Sequence, residues 1–275
     1  MVTVAVFRII ISVLLLINGT LLFREAQLWY GPNGVFGYQF FVEDIGRSRF
    51  SLLTLLPPNS RSVTLVFILH LFSVACLLVG LFTPLAATLT FITLTSIQHR
   101  NLLGLHGGDS VLRVMCFLLI FANAGQHYAI DVLIFHYDPE ALHAPWGLRL
   151  MQLFLAIGYL KATLWKLKGE LWRNGTALHF PPHLRIYNRF KLPEFLLTKP
   201  AIRVTTYVTL AIELMLGTLI WFDDFTVPVV ALGILLHLGI EYVLNVQLFG
   251  WTMMASLLIF IPPEMMHRFI ALFSL

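Results

Sequence analysis

The stretch Leu153-Phe-Leu-Ala-Ile-Gly-Tyr-Leu160, continued by Lys161-Ala-Thr-Leu-Trp-Lys166-Leu-Lys168, joins an apolar run to three lysines and a tryptophan. An apolar run of this kind is typical of a membrane-spanning helix. Lysine and tryptophan are residues expected where such a helix leaves the hydrocarbon core. The stretch therefore predicts a membrane helix. It leaves open whether its lysines anchor the helix end or take part in chemistry.

The composition of the whole chain also indicates a membrane environment. Hydrophobic residues make up 58% of the 275 residues and charged residues only 12%, whereas soluble domains contain about 25% charged residues. The chain carries 18 Lys+Arg against 14 Asp+Glu, and no basic run is interleaved with aromatic residues as a nucleic-acid groove requires. These features predict an all-α integral membrane protein whose partner is the lipid bilayer and not nucleic acid.

Apolar runs predict a bundle of about eight transmembrane helices in a single domain, 1–275. Pro228 is expected to mark the start of the seventh span and Pro262-Pro263 the exit from the eighth. Residues 24–62 and 169–201 are mixed in character and are expected to form interfacial or re-entrant segments. The predicted spans are 2–23, 63–83, 85–98, 111–126, 149–165, 202–222, 226–240 and 246–262.

Loop charges predict an orientation for these spans. Segments 24–62, 99–113 and 161–203 hold four, two and nine lysines and arginines, respectively, and the alternate loops hold none. The positive-inside rule then places both termini outside and segment 161–203 in the cytoplasm. Because no basic region or small-residue cleavage site flanks the first apolar run, we expect it to be a span and not a cleaved signal.

Charged residues inside the predicted spans need partners, because ionised groups in hydrocarbon are costly. For Arg8 in the first span, the alternatives are a structural ion pair and an extended side chain that reaches the near interface. Glu213 lies in the middle of the sixth span and is too short to reach water. It either pairs with Arg8 or lines a cavity as a proton-handling group.

Three pairs of residues have the spacing of neighbours on one helix face. His237 with Glu241 and His127 with Asp131 fit either an ordinary interfacial contact or a histidine base held in one tautomer by a carboxylate. Lys166 with Glu170 fits a structural ion pair.

Local motifs elsewhere suggest structure. The turn His106-Gly-Gly-Asp109 is expected to cap the next helix through its acidic residue. Cys76 and Cys116 lie in separate apolar runs and are expected to be packing residues. The histidines show no metal-ligand spacing, so no metal is predicted.

Lys166 also has a chemical interpretation. An amine beside aromatic and aliphatic surface loses hydration, which favours its neutral form and makes it available as a base. Such a base suits weakly acidic substrates that partition into a bilayer, for example quinols.

Several motifs follow one another along the chain: Val6-Phe7-Arg8, Gly107-Gly108-Asp109-x-x-Leu112-Arg113, the segment from Phe121 to His127-Tyr128-x-x-Asp131, and Lys166-Leu-x-Gly-x-x-Trp172-x-x-Gly175. The acidic Glu213 in the sixth span and the late spacing of His237 and Phe249 come after them. In this order the motifs resemble the HTTM (horizontally transferred transmembrane) family, which includes the vitamin K-dependent gamma-glutamyl carboxylases.

The resemblance implies a function and a site. Lys166 would be the base that deprotonates a reduced quinone, with O2 and CO2 as co-reactants, and His127 would assist it. Trp172 would form a wall of the pocket. The other matched residues, expected near the cofactor, are Arg8, Tyr128, Asp131, Glu213 and His237.

The pattern departs from the animal carboxylases at two places. Trp165 precedes Lys166 where those enzymes have adjacent lysines, so Lys161 and Lys168 stay as alternatives. We also expect a short form of the family that lacks their large extramembrane domain. We therefore keep a second function open, a non-enzymatic component for maturation or export of a secreted peptide or protein. The bacterial family patterns imply the inner membrane of a bacterial cell.

Overall fold

The computed structural model describes residues 2–35, 37–40, 49–136, 145–184 and 188–271. These residues form α-helices, short 3-10 helices and turns, and their single β-type contact is an isolated bridge between Asn188 and Leu244. The chain divides into two compact units, Met1–Leu148 and Arg149–Leu275. The predicted all-helical class is confirmed for the described residues.

The first unit is built on two long apolar helices and a third of mixed composition. The elements are α1 Val2–Arg24, α2 Ala26–Tyr30, α3 Tyr38–Phe40, α4 Leu52–Leu55, α5 Ser60–Val79, α6 Thr83–Arg100, α7 Gly107–Leu119 and α8 Ile130–Phe135. The most extensive packing joins α5 to α6 and to α1. Between α1 and α5, the described residues of the segment predicted to be interfacial or re-entrant include the short helices α2, α3 and α4.

Local capping explains where α5 and α7 begin. The Asn59 side chain accepts a hydrogen bond from the Ser62 amide at 2.9 Å and so caps α5. At α7, the His106 amide donates to Asp109 Oδ2 at 2.9 Å, while His106 Nδ1 accepts from the Gly108 amide at 3.2 Å. This reciprocal arrangement is a capping box. The capping role predicted for this turn is confirmed, although Asp109 lies inside the first turn and His106 is the N-cap.

The second unit contains the segments that were predicted as the fifth to eighth spans, and each of them includes a helix. Its elements are α9 Trp146–Lys168, which begins in the last residues of the first unit, followed by α10 Glu170–Arg173, α11 Lys199–Gly217, α12 Asp223–Val243, α13 Phe249–Leu257 and α14 Pro263–Ala271. Three short 3-10 helices lie between α10 and α11, at Ala177–His179, Pro181–His183 and Glu194–Leu197.

The prolines of this unit act differently from one another. The expectation that Pro228 starts a span is wrong, because α12 begins at Asp223 and contains Pro228 in its second turn. The Pro262-Pro263 pair does end the preceding helical segment. A bend of 116° separates Phe249–Phe260 from Pro263–Ala271, since proline lacks the amide needed to continue a helix.

Glycine permits the close approach of α9 to α11. A Cβ added at Gly217 would lie 3.1 Å from the backbone nitrogen of Leu160. That distance is too short for an ordinary side chain, so Gly217 lets the two helices touch at this level. Glu213 lies one turn before Gly217 on α11, and Lys166 lies further along α9 on the other side of Leu160. The two ionisable side chains therefore face each other from antiparallel helices.

Four helices within the described residues are long and apolar enough to cross a membrane, and the bent pair raises the number to five. The four are Val2–Arg24, Ser60–Val79, Lys199–Trp221 and Asp223–Val243, with mean hydropathies of 2.3, 2.5, 1.5 and 1.8 in their best windows. The count of about eight is not confirmed. The segment predicted at 111–126 forms a helix of only 13 residues before a series of turns, and α6 is rich in threonine.

Candidate functional site

The site in the second unit begins with one face of α9. Tyr159, Thr163 and Lys166 are four and three residues apart and therefore share that face. Thr163 Oγ1 donates to the Tyr159 carbonyl at 3.0 Å, which satisfies a buried hydroxyl inside the helix. Lys166 lies in the last turn of α9, where a cation interacts favourably with the helix dipole.

Lys166 is paired with Glu213 of α11. Its Nζ donates a hydrogen bond to Glu213 Oε1. The Lys166 side chain is 26% exposed and the Glu213 side chain 10%, so the pair is largely removed from solvent. Lys161 and Lys168 are exposed. The structure thus distinguishes Lys166 from the two lysines that the sequence left as alternatives.

The predicted ion pair between Lys166 and Glu170 is wrong. The helix α9 ends at Lys168, and Gly169 adopts an extended conformation before α10 begins. The four-residue spacing therefore does not correspond to one helix face, and Glu170 is exposed.

Trp172 and Gly175 of the signature motif have physical roles. Lys166 Nζ lies 4.9 Å from the centroid of the Trp172 ring, within range of a cation–π contact. Gly175 has a φ of +76°, and a Cβ there would lie 2.7 Å from Arg203 Cγ. Glycine at this position lets the chain turn against α11 just after Trp172, so the ring is held beside the amine.

Tyr159 and His237 form a second polar contact in this unit. The Tyr159 hydroxyl lies 2.8 Å from His237 Nε2, and both side chains are buried. The edge of the Phe249 ring packs against the imidazole with centroids 5.6 Å apart, which agrees with the histidine–phenylalanine spacing noted in the sequence. Sequence reasoning missed Tyr159, although its position two turns before Lys166 on the same face was a usable signal.

The two polar contacts belong to one cluster. Lys166 interacts electrostatically with His237, and Glu213 does so with Tyr159. Two buried atoms of the cluster, Glu213 Oε2 and His237 Nδ1, have no hydrogen-bond partner among the described residues. We call Tyr159, Lys166, Glu213 and His237 the lysine cluster.

Glu241 does not serve as the orienting carboxylate of His237, so that prediction is wrong. It accepts from the Gly250 amide at 3.1 Å and pairs with Arg189 at 3.2 Å. Arg189 also donates to Asn245 Oδ1 at 2.8 Å, and its amide bonds to the Val243 carbonyl at 3.0 Å. Glu241 therefore fixes the end of α12 to two neighbouring segments.

The remaining predicted residues lie in the first unit, around Arg8. This side chain is 0% exposed and its Nη2 donates to the Tyr128 carbonyl. Asp131 attracts it electrostatically. A Cβ at Gly80 would overlap with Arg8 Nη1, so the guanidinium occupies space that glycine leaves free. We call Arg8, Gly80, Tyr128 and Asp131 the arginine cluster.

Two expectations about Arg8 are corrected by these contacts. The Arg8 side chain has no exposed surface, so it does not extend into water. The suggested Arg8–Glu213 pair is replaced by a separate partner for each residue, the Tyr128 carbonyl for Arg8 and Lys166 for Glu213.

Asp131 caps the start of α6. Helical spacing does not place it beside His127. Its carboxylate accepts from the amides of Phe82 at 2.6 Å and Thr83 at 2.7 Å. The segment before Ile130 is a series of turns and bends in which Tyr128 has a φ of +48°. His127 therefore does not share a helix face with Asp131, and its side chain is half-buried in this turn segment.

A small cleft also lies in the first unit, and its lining includes Tyr30, Tyr38, Pro57 and Arg100. Burial raises the pKa of Tyr30 to about 12, because it disfavours the charged phenolate. None of the residues predicted to be functional lines this cleft.

Comparison with known proteins gives one match. The HTTM domain family matches residues 2–265, nearly the whole chain. No curated protein and no solved structure shows significant similarity to it. The long apolar helices and this match agree with each other: the chain is a membrane protein that belongs to the HTTM domain family.

Proposed function

We propose that this protein is a membrane-embedded enzyme in which Lys166 removes a proton from a weakly acidic, lipid-soluble substrate such as a quinol. The chemistry would be carboxylase-like or quinol-oxidising, as the family resemblance implies. One observation carries the proposal. The amine of Lys166 is held against the buried carboxylate of Glu213 beside an aromatic ring.

The pair suits proton transfer because its members can share one proton. In apolar surroundings the charge-separated form loses its hydration and gains little over the neutral form. In the neutral form the Lys166 amine is uncharged and can accept a proton. When the substrate O–H bond breaks, its proton forms an N–H bond on Lys166. The pair then carries one additional positive charge beside the newly negative substrate oxygen, and this attraction stabilises the product of the transfer.

The described residues fit a reduced quinone. Glu213 Oε2 and His237 Nδ1 are buried polar atoms that still need partners, and a dihydroxylated ring offers oxygens of the required kind. Trp172 supplies an apolar wall. When bound, a reduced quinone would supply two electrons and an acidic hydroxyl, with O2 as the oxidant and CO2 as the further co-reactant of a carboxylase. His127 stays the proposed assistant on the basis of the resemblance.

The test measures O2 consumption by purified protein supplied with 2-methylnaphthalene-1,4-diol. We expect Lys166→Met to lower the protein-dependent rate by about 100-fold or more, since general-base groups contribute that much. Lys168→Met is the matched control, because Lys168 makes the same kind of cation–π contact, with Trp165 at 4.4 Å, yet is exposed.

Two outcomes would overturn the proposal. Equal losses in the Lys166 and Lys168 variants would show that the lysines act only as anchors. A folded wild-type protein that neither oxidises nor binds the diol would instead favour the non-enzymatic role in maturation or export of a secreted peptide or protein.

A further inference from the structure

The imidazole of His237 is buried, and its two nitrogens differ in their contacts. The side chain is 2% exposed, Nε2 is bonded to Tyr159, and Nδ1 has no hydrogen-bond partner among the described residues. A buried polar atom without a hydrogen-bond partner is unfavourable. Such a cost is expected where a ligand supplies the missing contact.

The hydrogen-bond direction can be deduced from Tyr159. Its hydroxyl is buried, and within the described residues His237 Nε2 is the one atom that makes a hydrogen bond with it. If Nε2 carried the proton, the Tyr159 O–H would be left buried without an acceptor. Donation from Tyr159 to Nε2 satisfies the hydroxyl, and a neutral imidazole then carries its proton on Nδ1. Nδ1 is therefore a donor and selects an acceptor oxygen.

We infer that His237 and Tyr159 form a second oxygen-binding point of the lysine cluster, at which His237 Nδ1–H donates to a ligand oxygen. Tyr159 is a positioning residue that fixes the imidazole tautomer. This inference rests on the proposed function and narrows its substrate class. The ligand carries two oxygens, one hydroxyl for Lys166 and Glu213, and a second oxygen for His237. A lipid-soluble alcohol or phenol with a single oxygen would leave Nδ1 unsatisfied.

The contact can be measured by binding without turnover. Under argon, the dissociation constants of 2-methylnaphthalene-1,4-diol and of 2-methylnaphthalen-1-ol, which lacks the second oxygen, are compared by calorimetry. We expect the wild-type protein to prefer the diol by about tenfold, the value of one buried hydrogen bond. The Lys166→Met variant keeps a preference of similar size, because it retains His237, although its turnover is lost.

Two substitutions of His237 distinguish the contributions of its two nitrogens. In His237→Asn the side-chain amide occupies the place of Nδ1, whereas in His237→Gln it occupies the place of Nε2. We expect the asparagine variant to keep most of the preference for the diol and the glutamine variant to lose it. Tyr159→Phe reduces the preference in the wild-type background and has no further effect on it in the His237→Asn background, where no tautomer has to be fixed.

The outcomes distinguish this inference from the proposed function. A wild-type preference that persists unchanged in His237→Gln and in Tyr159→Phe overturns the inference and leaves the Lys166 proposal intact. Absence of binding by either probe to folded wild-type protein overturns both. If His237→Gln does not fold, as judged by circular dichroism, the Tyr159→Phe measurement decides the question by itself.

Discussion

The arginine cluster and the lysine cluster each place a cation in a largely apolar surrounding, but they treat it differently. Arg8 has no exposed surface, donates to a backbone carbonyl and lies in the field of Asp131. Asp131 is itself engaged by two backbone amides. Lys166 keeps about a quarter of its side chain exposed and bonds to the carboxylate of Glu213. Arg8 thus binds a backbone carbonyl, whereas Lys166 binds a second titratable side chain.

The difference follows from the chemistry of the two cations. A guanidinium does not lose its proton in proteins, whereas an amine changes its protonation state readily when it is buried. Arg8 can therefore stabilise a fold but cannot act as a base. The arginine cluster therefore fits a structural role, and the lysine cluster is the place where we propose that proton transfer occurs.

The largest expected effect concerns the arginine cluster. Arg8→Met removes the donor to the Tyr128 carbonyl and leaves Asp131 without its neighbouring cation. We expect the free energy of unfolding to fall by about 3–5 kcal/mol, the usual cost of removing one member of a buried pair. Thermal and denaturant unfolding in detergent, followed by circular dichroism, would measure the change. A loss below about 1 kcal/mol would contradict the structural role, and Arg8→Lys should lie between wild type and Arg8→Met.

A smaller effect on stability is expected at the lysine cluster. Lys166→Met and Glu213→Gln each leave a buried polar group without its partner, at about 1–3 kcal/mol. The double variant should be less destabilised than the sum of the two, by a coupling of about 0.5–3 kcal/mol. Unfolding of all four proteins under one condition gives this coupling. Strict additivity would show that the two side chains do not interact.

The smallest effect is expected at Glu170, the partner suggested by sequence spacing alone. Because Glu170 is exposed and lies beyond the end of α9, Glu170→Gln should change the free energy of unfolding by no more than about 0.5 kcal/mol. Diol oxidation should stay at the wild-type rate, while Glu213→Gln lowers it. Loss of activity in the Glu170 variant would restore the sequence-based pairing.

The helical architecture could be predicted to a large degree. Apolar runs located α1, α5, α11 and α12 within a few residues, because hydrophobicity is a property of each segment by itself. The span count was less reliable. The apolar run at 111–126 satisfies a composition rule, but only its first half is helical, since composition does not show where a chain turns.

The candidate site was predictable in its members and not in its contacts. Lys166, Glu213, His237 and Trp172 were identified from the sequence, whereas Tyr159 was missed. Two of the pairings predicted from four-residue spacing are not made: Glu170 lies beyond the end of the helix that holds Lys166, and Glu241 is engaged by a backbone amide and Arg189. His127 lies in a turn segment, so it does not share a helix face with Asp131.

The sequence by itself determined that this is a membrane protein, where its longest helices lie and to which family it belongs. These follow from hydrophobicity and from motifs whose residues are near one another in the chain. The tertiary structure alone decided which carboxylate meets Lys166. Glu213 is 47 residues away in the chain, and the approach of α9 to α11 at Gly217 brings it opposite the amine. A contact of that kind depends on the packing of two helices, which no local pattern encodes.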